Sequence, residues 1–165
     1  MCRSLLLRAS ALALLALAAP ALGNWWTPQD VARFKVMTDK VVAQHGAYEP
    51  LPGKKINGEL TPGENTGDLV GINIAHDAWK LSLNGKNPKA ITGWTGEQRF
   101  YLGFSQVWRQ KYRDAMMLQQ LTPDLHSPVN FRPYVVRHLD ACYAAFDVKQ
   151  GEKYYLSPAD RLRVW

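Results

Sequence analysis

The sequence predicts a mainly α-helical fold. Two capping signals carry that prediction: Thr27-Pro28, and the run Thr95-Gly96-Glu97-Gln98. Apolar residues recurring at helical spacing after each signal are the third observation. Chain composition agrees with one soluble globular domain: of 165 residues, 47% are hydrophobic and 21% charged.

The elements follow in order. Thr27 caps a helix whose first position is Pro28. Val31, Phe34, Val41 and Val42 then repeat with helical spacing to about His45, and Gly46 suits the end. Tyr48 to Pro62 holds three prolines and the glycines Gly53 and Gly58, so it reads as a long loop. A second helix is expected from about Gly63 to Leu83, with Leu69, Ile72, Ala75 and Trp79 facing inward and Asn84-Gly85 as its stop. The capping box at Thr95 opens a third helix, running to about Trp108 on a broad apolar stripe of Phe100, Tyr101, Phe104, Val107 and Trp108 that reads as core packing. Ala115 to Leu121 suits a short helix. The stretch "TPDLHSPVNFRP" reads as a proline-punctuated loop, Tyr134 to Val136 as extended, and Leu139 to Phe146 as a last short helix. The terminal Trp165 is expected to tuck into the body.

Residues 1–23 differ in kind. Arg3 and Arg8 precede an Ala/Leu run, and Ala19-Pro20-Ala21 has the small residues of a cleavage site. That is the layout of a secretory signal, too short for a stable membrane span, and it implies a periplasmic or secreted protein. The globular domain is then 24–165, with Cys142 as its single cysteine and no intrachain disulfide. The net charge is +6, but the cations are scattered, and no nucleic-acid motif accompanies them.

Glu64 and Asp68 are the first candidates for chemistry. Four residues apart near a helix start, they share a face one turn apart. Carboxylates there also complement the helix dipole, a purely structural use. His126 lies in the proline-punctuated loop with Arg132 six residues on, a pairing able to stabilise an oxyanion. His45, His76 and His138 show no ligand spacing. His76 is twelve residues beyond Glu64, about 120° round the helix, and should not share a metal with it.

Five stretches occur in order: "NWWTPQDVARF", "NGELTPGENTGDLVGI", "TGEQRFYLGFSQVWRQKYR", "DLHSPVNFRP" and "RVW". Together they resemble the C-terminal part of the neprilysin and endothelin-converting enzyme family of zinc metallopeptidases, over residues 24–165. The resemblance implies the C-terminal helical part of a thermolysin-like (gluzincin) metallopeptidase domain, incomplete here. It makes Glu64 the third zinc ligand and Asp68 the residue that orients a zinc-bound histidine. It makes His126 the stabiliser of the transition-state oxyanion and Arg132 a binder of substrate backbone carbonyls. Gly67 stands where that family usually has alanine, costing the helix about 1 kcal/mol without moving either carboxylate off its face.

Such peptidases take two zinc ligands and a general base from a His-Glu-x-x-His helix. None of the four histidines here is followed by glutamate: they occur as His45-Gly46, His76-Asp77, His126-Ser127 and His138-Leu139. A catalytic zinc takes three protein ligands and a water. The expectation is therefore part of a zinc endopeptidase that cleaves peptides only when completed, and that holds no zinc alone. The alternative is an exported remnant without catalysis, or a peptide-binding protein.

Overall fold

In the computed structural model, residues 26–163 are described; the signal-like segment and Trp165 lie outside them. Five α-helices and one 3-10 helix occur in this span: α1 Pro28–Gly46, α2 Pro62–Ser82, α3 Gly96–Val107, α4 Asp114–Leu121, the 3-10 helix Arg132–His138, and α5 Asp140–Phe146. No strand appears among the described residues, only the isolated bridges Leu51–Lys54 and Ile91–Trp94.

Both expected helix starts are built by local chemistry. Thr27 and Asp30 form a full capping box, with the Asp30 amide 3.2 Å from Thr27 Oγ1. Thr95 and Gln98 form the second, the Gln98 amide donating to Thr95 Oγ1 at 3.2 Å. Each pair satisfies free amides at a helix start. The positive φ of Asn84 and Gly85 carries the chain away after α2.

Packing places α2 at the centre. It lies against α1 and the 3-10 helix, while α3 packs on α5. Val41, Leu69, Ile72, Tyr101, Val135, Leu139, Cys142 and Leu162 form the buried cluster between these elements. No described helix is long and apolar enough to cross a membrane.

Three details differ from the expectations. Tyr134 to Val136 is not extended but lies within the 3-10 helix. Pro133 sets a helical φ there, and burying Val135 to 2% exposure outweighs the strand preference of its β-branched neighbours. Ala75 faces solvent because His76 takes the inward position, 8% exposed, stacked on Tyr101 with ring centroids 5.5 Å apart. Val31 and Val107, expected on inner stripes, are also exposed.

Two histidines sit deep in the core. His45 is 1% exposed and His138 5%. Nδ1 of His138 accepts the Leu162 amide at 3.1 Å, so the ring proton must be on Nε2, which donates to Gln44 Oε1 at 2.5 Å. Protonating Nδ1 would break the Leu162 bond. Burial, reinforced by the Arg137 charge, lowers both histidines from 6.5 to about 4. The unfolded chain therefore takes up these protons first as pH falls. Stability is whole above pH 6.5 and is lost as pH drops towards 4. Urea unfolding should show a loss of about 1–2 kcal/mol from each histidine between about pH 7 and pH 5. Equal stability at the two pH values would contradict the buried, neutral state.

Candidate active site

The first two turns of α2 carry Glu64 and Asp68. Their position is fixed from below. Thr61 Oγ1 donates to the Asn57 carbonyl at 3.2 Å and accepts from Asn65 Nδ2 at 3.0 Å. Asn65 and Thr66, at 1% and 3% exposure, are thereby the buried side of the turn. Glu64 and Asp68 fall on its other side, with side chains 35% and 12% exposed.

Asp68 meets Arg132 in a two-pronged ion pair. Arg132 Nε donates to Oδ2 at 2.7 Å and Nη2 to Oδ1 at 2.7 Å. The guanidinium also stacks on Trp108, its carbon 4.0 Å from the ring centroid. Carboxylate and indole together fix the plane of the guanidinium. Arginine has five N–H donors, so three stay available. Each Asp68 oxygen likewise retains a second lone pair for a further donor.

His126 reaches Glu64 from the loop that follows α4. Its Nε2 lies 3.0 Å from Glu64 Oε2. Its Nδ1 lies 2.9 Å from Asp124 Oδ1, which also accepts the His126 backbone amide at 2.9 Å. Gln120 Nε2 donates to the second Asp124 oxygen at 3.2 Å. Burial alone would raise the Asp124 carboxyl, but the His126 and Gln120 hydrogen bonds outweigh it and hold it below the usual carboxylate range. Asp124 therefore stays ionised and sets the rotation of the His126 ring.

All four residues singled out in the sequence thus converge as two pairs, Glu64 with His126 and Asp68 with Arg132. Sequence reasoning missed two participants. Asp124 was unremarked, although a carboxylate two residues before a loop histidine can turn back onto it. Trp108 reads as core packing at the end of an apolar stripe, yet its ring face carries the Arg132 guanidinium. The other histidines are engaged elsewhere: His76 with Glu97 at 2.7 Å, His45 with Ser127, His138 with Gln44.

The model for peptidase family M13 matches residues 17–162. The chain belongs to that family. Relatives of similar sequence include human neprilysin, 32% identical over 149 residues, covering 86% of this chain and 20% of neprilysin. The neutral endopeptidase of Lactobacillus helveticus is 31% identical over 145 residues. Among solved structures, the Mycobacterium tuberculosis zinc metalloprotease Zmp1 in complex with an inhibitor superposes with a TM-score of 0.82 at 43% identity. That match covers 86% of this chain and 23% of the Zmp1 chain. This M13 chain spans about a fifth of the length of the curated relatives it matches.

The match to the zinc protease's fold bears out the expected helical part of an M13 domain, and the family implies zinc. The donor set here answers to part of such a site. Among the described residues no three His, Cys, Asp or Glu side chains come together to hold a metal. Glu64 fits a ligand position: one oxygen faces His126, and the side chain is open to solvent on one side. One carboxylate fits one of the three protein ligands of a catalytic zinc.

Proposed function

We propose that this chain forms one side of a zinc endopeptidase site, the side that binds the peptide and stabilises its transition state. Hydrolysis then needs a further segment carrying a His-Glu-x-x-His helix. The observation that carries the reading is the convergence of two pairs on one face of α2, Glu64 with His126 and Asp68 with Arg132.

The geometry supports the role of each residue. When bound, zinc polarises the scissile carbonyl and makes water a nucleophile at neutral pH. Glu64 supplies it a carboxylate oxygen. His126 presents Nε2 towards the reacting centre, its ring fixed by Asp124, and stabilises the negative oxygen that develops on the carbonyl. Arg132 offers its free N–H groups to a peptide carbonyl from a plane held by Asp68 and Trp108. Asp68, with lone pairs to spare, accepts the ring N–H of a ligating histidine from the completing segment.

The test is reconstitution. The isolated chain should bind no stoichiometric zinc and hydrolyse no peptide. Mixed with an M13 segment that carries His-Glu-x-x-His, it should take up one zinc and cleave peptides until a chelator is added. Glu64→Gln should then lose the metal, whereas His126→Gln should keep it and lower kcat by about 100-fold. One zinc per isolated chain, with chelator-sensitive cleavage, would sink the proposal.

A further inference from the structure

We infer that His45 and Ser127 form a buried anchor that positions His126 against Glu64. The inference rests on the reading of His126 as the oxyanion-stabilising residue and adds how its main chain is held. His45, in the last turn of α1, and Ser127 are each 1% exposed. His45 Nδ1 lies 2.9 Å from Ser127 Oγ, across 82 residues of sequence. Buried polar groups need partners, and these two serve each other.

The contrast along the loop gives the anchor its effect. Ser127 and Pro128 are fully buried and Val129 is 9% exposed, while the His126 side chain is 43% exposed. The chain turns after Pro128, whose carbonyl accepts the Phe131 amide at 2.8 Å. His126 is therefore the last residue before the loop dives into the core. Asp124 fixes the rotation of its ring; the Ser127 hydroxyl fixes where its backbone stands.

The wall behind the anchor is stiff. Tyr48 meets the His45 ring edge-on at 5.4 Å and stacks on Phe131 at 5.2 Å, so one tyrosine braces both the anchoring histidine and the far end of the loop. Burial keeps His45 neutral at pH 7, its value lowered to about 4. A neutral imidazole has one N–H and one lone pair, and a serine hydroxyl can meet either.

The experiment uses the full chain with 15N-labelled histidine at fixed neutral pH. It reads how far the His126 Nε2 resonance moves on Glu64→Gln, in four backgrounds: native, Ser127→Ala, His45→Phe and His45→Asn. Ser127→Ala removes one oxygen and leaves the fold in place, checked by its melting curve. Ser127→Ala and His45→Phe should each reduce the Glu64 response by roughly half or more. His45→Asn, whose side-chain amide sits near the former Nδ1, should retain it. A full response in both Ser127→Ala and His45→Phe overturns the anchor. So does loss of the response in His45→Asn, or its absence in the native chain. No hydrolysis is needed, so failed reconstitution with this pattern intact counts against the catalytic reading alone.

Discussion

Gly58→Ala should destabilise the chain by about 3 kcal/mol or more, read as a lowered urea midpoint. A Cβ on Gly58 would stand 2.2 Å from the Val42 carbonyl oxygen and 3.1 Å from the Gly46 amide nitrogen. Both neighbours are backbone of α1, so no flexible side chain can swing aside. The loop would have to lift off α1, and that loop runs directly into the start of α2. Glu64 and Asp68 would move with it. Gly67→Ala gives the opposite sign. Gly67 lies inside α2 with nothing within 4 Å of its Cβ position. Alanine there should stabilise by about 1 kcal/mol through helix propensity alone. Equal effects at the two glycines would show that close approach at Gly58 is not what selects it.

Asp68→Ala should cost about 3–5 kcal/mol, because it strands the Arg132 cation where its side chain is only 14% exposed. The loss comes less from the attraction removed than from the charge left without a partner. The double variant Asp68→Ala, Arg132→Met should therefore be more stable than Asp68→Ala alone. Lys35→Ala supplies the comparison. Lys35 and Asp39 lie 2.7 Å apart, yet their side chains are 68% and 58% exposed, and removing that pair should leave the midpoint unchanged. A double variant as unstable as the sum of its single changes would mean that Asp68 and Arg132 act independently.

What the sequence made legible follows the range of the forces involved. Thr27 and Thr95 announce their helices because a cap is settled within four residues. Glu64 and Asp68 share a face because helical phase alone puts them there. The meeting of Asp68 with Arg132 spans 64 residues, and no local rule brings those two together. The ordered motifs, and the family they resemble, name both residues but not their pairing. Tyr134 to Val136 departs from expectation for the same reason: local preference favours a strand, and the buried seat of Val135 decides otherwise. Ala75 and His76 show a finer failure, one residue of helical phase, because a histidine with Glu97 to bond is acceptable inside. Trp108 was seen as apolar bulk, yet its ring face is also a platform for a cation.

The two pairs on α2 have a thermodynamic consequence. Glu64 faces His126, and Arg132 and Asp68 hold each other, before anything arrives. Such a surface has its polar groups already paired, so an incoming charged or polar group enters by exchange, its net gain being the difference between new and displaced interactions. Affinity for any single small ion should accordingly be low. Tight binding requires a partner that replaces several contacts at once.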